Sequence, residues 1–164
     1  MLTNKMLLAL NAQVQAEMHS SYLYLSIAAY FESMNLRGFA KWMRLQADEE
    51  REHAMKFYDF ILTCGGKVDL AAIAAPQSEW NSALAAFTDV LKHEKKVTSL
   101  IHDLYRLSVK EDDLATGVFL QWFIKEQVEE EANASEIVAK LKMNRDSVGG
   151  LLVIDHHLGK RGKD

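Results

Sequence analysis

The shortage of helix-breaking residues constrains this chain more than any other feature. Only one proline, Pro76, occurs in 164 residues, and glycine occurs eight times. Proline interrupts helical hydrogen bonds and glycine weakens helices, so long stretches with few of either favour long helices over a strand-rich fold. Hydrophobic residues make up 49% of the chain and charged residues 26%, which is typical of a folded globular protein. We expect a single domain over residues 1–164.

Four long segments carry the periodicity of amphipathic helices, and a shorter apolar segment follows them. We predict helices at Asn4–Ser33, Arg37–Cys64, Ser82–Val109, Asp113–Met143 and Ser147–Leu158. The first two and the last two long helices are separated by tight loops, which join antiparallel neighbours. The segment from 65 to 81 is long enough to span a helix of about 28 residues, roughly 42 Å long. The prediction is therefore an all-α four-helix bundle with one long crossover and a short C-terminal fifth helix.

Polar residues interrupt the apolar stripe of each long helix near its middle. At heptad spacing these positions are Glu17, Gln46, Glu50, His53, Glu94, Gln127 and Glu130. Burying an unpaired carboxylate costs several kcal/mol, and carboxylates in one layer repel each other. A bound cation would compensate for this cost. The alternative is a buried network in which the side chains share protons and hydrogen bonds.

Positions relative to the two tight loops place these residues at one height in the bundle. Glu17 and His53 are equidistant in sequence from Asn35, which lies in the first loop. Glu94 and Glu130 are likewise equidistant from the middle of the second loop. Residues equidistant from the turn of an antiparallel hairpin lie side by side, so each hairpin should bring one such pair together.

The two hairpins also repeat each other with an offset of eleven heptads. This offset relates Glu17 to Glu94, Glu50 to Gln127, and His53 to Glu130. A pseudo-symmetric arrangement of this kind suits a pair of metal ions. Carboxylates with one imidazole favour iron or manganese, whereas magnesium and calcium rarely bind imidazole. Glu50 could bridge two ions.

Bulk properties exclude several other classes of protein. The net charge is −4, so we expect no nucleic-acid partner, which would need a basic face. No stretch approaches the about 20 apolar residues of a membrane span, and the apolar run at residues 6–10 is too short for a secretory signal. The single cysteine, Cys64, cannot form an internal disulfide or a cysteine-rich zinc site. We expect a cytoplasmic protein without membrane contact.

The sequence resembles the bacterial non-haem ferritins along essentially its whole length. The elements that carry the resemblance are Glu17, Glu50-Arg51-Glu52-His53, Glu94 and Gln127-Val128-Glu129-Glu130. The resemblance implies a ferritin-like bundle that stores iron and acts as a ferroxidase. Such a protein oxidises Fe(II) to Fe(III) with O2 at a di-iron centre within each subunit and stores hydrated ferric oxide inside a shell of 24 identical subunits.

The resemblance also implies roles for individual residues. Glu17, Glu50 and His53 would hold one iron ion, and Glu50, Glu94 and Glu130 would hold the other. Gln127 would lie close to the second ion as a further ligand, and Tyr24 would take part in the redox chemistry beside the centre. From the residues alone, Gln127 could instead be only a hydrogen-bond partner, and Tyr24 only a core aromatic residue.

Two further expectations follow from the resemblance. A third iron site would involve Glu49, Glu126 and Glu129 with the shared Glu130, although a solvated acidic helix face explains the same residues. Arg51 stands where haem-binding relatives carry a methionine, and the second half has Gln127-x-x-Glu130 instead of Glu-x-x-His. These departures argue against a bacterioferritin, so we expect no haem.

Two rival functions remain open at this point. One is a di-iron or manganese oxygenase that acts on an organic substrate, for which we would expect an apolar substrate channel and no shell. The other is a structural or partner-binding helical bundle with a vestigial site, which would bind no stoichiometric iron.

Overall fold

The computed structural model describes residues 2–162, which form five α-helices and, within this range, no β-strand. The helices are α1 (Asn4–Ser33), α2 (Arg37–Thr63), α3 (Ala83–Lys110), α4 (Leu114–Asn144) and α5 (Val148–Leu158). The predicted all-α bundle with one long crossover and a fifth helix is confirmed. Among the helices of this range, none combines the length and apolarity that a membrane crossing requires.

The predicted helix bounds differ from the observed ones by at most one residue at each end. Three predicted starts are one residue early because those residues cap the helix instead of joining it. The caps accept backbone N–H bonds as follows: Ser82 from Ala85 at 3.0 Å, Asp113 from Thr116 at 3.0 Å, and Ser147 from Gly150 at 3.2 Å. A capping side chain satisfies one of the donors that the first helical turn leaves free.

The two hairpins, α1–α2 and α3–α4, turn in the same way. Each loop passes through a residue in the left-handed region of backbone space, Asn35 with φ 60° and Asp112 with φ 52°. Asparagine and aspartate adopt this conformation more easily than other non-glycine residues. Because Asp112 follows Asn35 by eleven heptads, the loops repeat with the same offset as the polar layer.

The long crossover between α2 and α3 runs along the surface of α1. Polar side chains of α1 bind its backbone in order: Asn11 binds Lys67 and Asp69, Gln15 binds Ala72, and Ser26 binds Gln77. These contacts carry the chain from the N-terminal part of α1 toward its C-terminal part. As a result, α3 begins near the end of α1 and the second hairpin packs against the first.

The hydrophobic core is divided into two clusters. One contains the packed rings of Phe31, Phe39 and Phe87, and the other contains Phe57 and Phe123, whose centroids lie 4.2 Å apart. Buried polar side chains lie between the clusters, in the middle of the four long helices. The division follows from the sequence, because each apolar stripe is interrupted at that height.

Helix α5 docks against the beginning of α2. The backbone N–H of Phe39 donates to Asp155 Oδ1 at 2.9 Å, and Lys41 Nζ donates to the carbonyl oxygen of Gly159 at 3.2 Å. Gly38 lies directly under α5, because a Cβ atom added there would be 1.7 Å from the carbonyl oxygen of Asp155. The absence of a side chain at Gly38 therefore permits this close contact.

We expect the Gly38→Ala substitution to loosen α5 even though alanine is the better helix former. The added methyl group must push α5 away from α2, at a cost of about 1–3 kcal/mol. Hydrogen exchange should be faster at the α5 amides of this variant. Gly149→Ala is the matched control, since its added Cβ meets no atom within 4 Å, and it should leave exchange unchanged or slower. Equal α5 exchange in Gly38→Ala and the parent would contradict this account.

Candidate metal centre

The buried polar layer contains the carboxylates and the imidazole that the sequence singled out. Glu17, on α1, and Glu50, on α2, are 1% and 2% exposed, and His53 follows Glu50 by one helical turn. The ligand atoms of these three residues all lie within 4.8 Å of one another. One oxygen or nitrogen from each could therefore contact a single metal ion.

A second group of three lies beside the first. Glu50, Glu94 on α3 and Glu130 on α4 also bring ligand atoms within 4.8 Å of one another. All three side chains are buried. Glu50 belongs to both groups, so one carboxylate reaches two neighbouring positions for a cation. This is the geometry that a bridging carboxylate between two ions requires.

The residues predicted for a third site do not meet in one group. Glu126 lies with His53 and Glu130, in a third cluster of ligand atoms within 4.8 Å. Glu49 and Glu129 belong to none of the three groups found among the described residues. Glu129 is exposed, and Glu49 is paired with Arg161 at 2.5 Å.

Glu17 shows that hydrogen bonds alone do not satisfy the layer. Gln13, one turn earlier on α1, donates from Nε2 to Glu17 Oε1 at 2.8 Å. The other oxygen, Oε2, is buried and has no hydrogen-bond partner among residues 2–162. A buried polar atom without a partner costs about 1–3 kcal/mol. A cation contacting Oε2 would remove this penalty, so the donor set fits a metal ion.

His53 is held between Glu50 and two aromatic side chains. His53 Nδ1 lies 3.4 Å from Glu50 Oε2. The His53 ring is edge-on to Trp122 and Phe123, with centroids 5.4 and 5.9 Å away. These rings limit the rotation of the imidazole and exclude water from that side. The amide of Gln46 donates to the other oxygen of Glu50 at 3.4 Å.

Tyr24 and Gln127 both bind Glu94. The Tyr24 hydroxyl donates to Glu94 Oε1, and Gln127 Nε2 donates to Glu94 Oε2 at 3.2 Å. Gln127 Nε2 also lies 3.2 Å from Thr98 Oγ1. In this arrangement Gln127 is a hydrogen-bond donor to a carboxylate, and Tyr24 contacts the layer directly as well as filling the core. The ligand role of Gln127 stays a prediction.

The carboxylates of the layer hold their protons more tightly than ordinary side chains. Burial, and then repulsion from Glu50, raises the pKa of Glu17 well above its usual value. Burial, and then the charges of Glu94 and Glu130, does the same to the pKa of Glu50. Burial also raises the pKa of Glu94, and it raises the pKa of Glu130 to about 7. Metal ligands must be deprotonated, so a cation entering this layer displaces protons.

Sequence reasoning did not assign roles to three side chains that support the layer. Gln13 and Gln46 each precede a carboxylate of the layer by four residues and donate to it. The sequence did contain a signal for these two contacts, because each amide lies one helical turn before a predicted ligand. Arg161 donates to Gln46 Oε1 at 2.9 Å, and nothing in its sequence spacing indicated this contact.

Comparisons with known proteins agree with this geometry. The family model described as the ferritin-like domain matches residues 7–144. A bacterial non-heme ferritin of Bacteroides fragilis (strain 638R) is 42% identical over 161 residues, which cover 98% of this chain and 100% of the relative. A bacterial non-heme ferritin of Staphylococcus aureus (strain MRSA252) is 35% identical over 164 residues, covering 100% and 99%.

Solved structures give the same result for the fold. An open pore ferritin from the hyperthermophilic archaeon Archaeoglobus fulgidus has a TM-score of 0.97 and 50% sequence identity to this chain. The alignment covers 98% of this chain and 99% of that one. Together with the full-length curated relatives, these likenesses show that the chain belongs to the ferritin family, among relatives named bacterial non-heme ferritins.

Proposed function

We propose that this chain is the subunit of an iron-storage protein that oxidises ferrous iron with dioxygen at a two-ion centre within the subunit. The observation that carries the proposal is the shared position of Glu50, whose carboxylate belongs to two adjacent groups of buried ligand atoms. Membership in the ferritin family supports an iron-handling role, and carboxylates with one imidazole suit iron.

The reaction treats iron as the substrate. Glu17, Glu50 and His53 bind one ferrous ion, and Glu50, Glu94 and Glu130 bind the second. Each ferrous ion gives up one electron, so four ferrous ions are oxidised for each dioxygen reduced to the level of water, and hydrolysis of the ferric product yields hydrated ferric oxide and protons. The protein holds the two ions close together and keeps the surroundings apolar, while the redox chemistry belongs to the metal.

Two neighbouring features belong to the same proposal. The Tyr24 hydroxyl donates to Glu94, and this contact with a ligand supports a redox role for the tyrosine. Glu126, with a ligand atom near those of His53 and Glu130, is the residue of the predicted third site that could receive iron next.

Storage also requires an assembly, and we propose a shell of 24 identical subunits in the cytoplasm. Large apolar side chains remain exposed on the isolated chain, including Leu8, Leu114, Val118 and Val128, at 68–77%. Exposed apolar residues in such number are typical of subunit contacts. The single cysteine suits the reducing cytoplasm.

The test is an anaerobic titration of the assembled protein with ferrous iron, followed by oxygen. We expect at least two ions per subunit, rapid uptake of oxygen with formation of ferric iron, and elution of the protein as a large assembly that retains iron. A small oligomer that turned over an organic substrate would favour the oxygenase alternative. Absence of stoichiometric binding would favour the structural bundle.

A further inference from the structure

Two histidines outside the buried layer face one cavity between the two hairpins. His19 lies on α1 and His93 on α3, and both line a cavity of about 320 Å³ that Ile73 and Ala74 of the crossover also line. The centres of the two imidazole rings are 6.0 Å apart, and the ring planes are inclined by 53°. Neither histidine belongs to a ligand group of the buried layer. The cavity therefore brings together two imidazoles that the proposed iron oxidation does not use.

The hydrogen bonds of His93 leave one of its ring nitrogens available to a ligand. The Ser20 hydroxyl donates its proton to the carbonyl oxygen of Ala16 at 3.0 Å, so its oxygen accepts from His93 Nε2 at 2.7 Å. The lone pair of the His93 ring is then on Nδ1. Within residues 2–162, only Glu17 Oε2 is both fully buried and without a hydrogen-bond partner, so Nδ1, which has no partner there, is reached by solvent. An imidazole that donates through one nitrogen and offers the other is typical of metal ligands.

The separation of the two rings suits one transition-metal ion bound between them. An imidazole nitrogen binds zinc at about 2.1 Å, which places the ion about 3.2 Å from the ring centre. Two rings on one ion then have centres about 5.2 Å apart at the tetrahedral angle and about 6.4 Å apart on opposite sides of the ion. The observed 6.0 Å lies between these values. A small rotation of the half-buried His19 side chain therefore suffices to bring both nitrogens to one ion.

The chemistry of the cavity indicates the class of ion. Magnesium and calcium rarely bind imidazole, whereas zinc and copper bind it readily. Lys96 also lines the cavity, but it is exposed, so its ammonium group can remain in water. An ion at this position is held by donation from nitrogen and not by an opposite charge, which again favours zinc or copper.

We propose that His19 and His93 form a second metal site, which binds one divalent ion of the zinc or copper class and completes its coordination with water. The cavity has room for these waters, since each takes about 30 Å³. The ion connects α1 to α3 and so ties the first hairpin to the second. The site is separate from the proposed iron centre and does not depend on it.

The test uses Cu2+, because a given site binds it more tightly than other divalent first-row ions and its paramagnetic resonance reports nitrogen ligands. The assembled Glu50→Ala/His53→Ala protein is the starting protein, because it lacks the carboxylate shared by two ligand groups of the layer and the one imidazole of those groups. His19→Gln, His93→Gln or His102→Gln is added to it. His102, a half-buried imidazole of α3, is the matched control. Elution volume and thermal melts verify assembly and folding.

We expect the starting protein and the His102→Gln control to bind the first equivalent of Cu2+ per subunit through two imidazoles, counted by electron spin echo envelope modulation. His19→Gln and His93→Gln should each leave at most one imidazole. They should weaken binding by more than about 100-fold, since loss of a residue that only orients a ligand already costs about 10–100-fold. Zn2+ should raise the melting temperature of the starting protein more than that of the His19→Gln variant.

Three outcomes would overturn the proposal. The first is a starting protein without a two-imidazole signal. The second is a two-imidazole signal that survives His19→Gln, which would place the copper elsewhere, for example at His156 and His157. The third is equal affinity for Cu2+ with and without His19. If His93→Gln fails to fold, His19→Gln alone decides. None of these outcomes bears on the iron centre, which the starting protein lacks.

Discussion

The Glu50→Ala/His53→Ala variant is expected to lose rapid oxidation of ferrous iron, with the rate falling to that of iron in buffer. Both substitutions fall in α2, and between them they remove a member of every ligand group in the layer. Loss of residues that only orient a metal ligand lowers affinity or activity by about 10–100-fold, so loss of the ligands should reduce the rate by more than about 100-fold. Stopped-flow measurement of ferric absorbance after addition of oxygen would give the rate.

The matched control for this variant is Glu52→Ala/His102→Ala. Glu52 is an exposed carboxylate of the same helix, and His102 is a half-buried imidazole of α3. Neither joins a ligand group among the described residues, so the control should oxidise iron at the parental rate. A Glu50→Ala/His53→Ala variant that folded and oxidised iron as fast as the parent would show that the reaction takes place elsewhere.

Much of the fold follows from two simple features of the sequence. Heptad spacing shows which side of each helix faces inward, and the tight loops at Asn35 and Asp112 fix the relative heights of paired helices. Together they predict that Glu17 meets His53 and that Glu94 meets Glu130, and the structure brings all four into one layer. The carboxylates were recognisable because they interrupt otherwise apolar stripes.

Other features depend on side-chain rotamers and on packing between distant segments, which spacing does not determine. Arg161 contacts Glu49, 112 residues earlier, only because α5 docks on Gly38. The predicted grouping of Glu49 with Glu126 followed from the resemblance, and the spacing of these two residues contains no information about where α5 docks. The orientation of Gln46 likewise depends on this docking.

The second large effect expected is that the metal-free protein becomes less stable as pH rises from about 4.5 to about 7. Burial, and then the charge of Glu94, raises the pKa of Glu130 from 4.5 to about 7. Below the lower value this side chain is protonated in both the folded and the unfolded chain. Between the two values the unfolded chain releases the proton and the folded chain keeps it, so the free energy of unfolding falls. For Glu130 alone the loss is about 3 kcal/mol.

A half-buried histidine acts in the opposite direction over part of this range. Burial, and then the charge of His19, lowers the pKa of His93 from 6.5 to about 4. The stability that the neutral His93 imidazole contributes is therefore lost as pH falls from 6.5 to about 4. The free energy of unfolding of the parent, plotted against pH, contains this effect and the effect of Glu130. The Glu130→Gln variant separates them, because it removes the carboxylate and leaves His93 in place.

Chemical denaturation of the metal-free protein at about pH 5 and about pH 7.5, at equal protein concentration, would measure the effect. The parent should lose about 3 kcal/mol more than Glu130→Gln over this interval. Glu136→Gln is the control, because Glu136 is exposed and paired with Lys140. Its free energy of unfolding should change between the two pH values as much as that of the parent. A parallel response of the parent and Glu130→Gln would mean that Glu130 does not hold its proton between these two pH values.

Saturating Mn2+ should reverse this dependence on pH. A divalent ion binds the deprotonated carboxylates, so binding becomes tighter as protons leave the layer. An ion that binds only the folded state stabilises it by an amount that grows with its affinity. The same charges that weaken the metal-free bundle at neutral pH would then strengthen the loaded one. The difference between the two curves would measure how far the buried carboxylates are adapted to binding metal and not to folding.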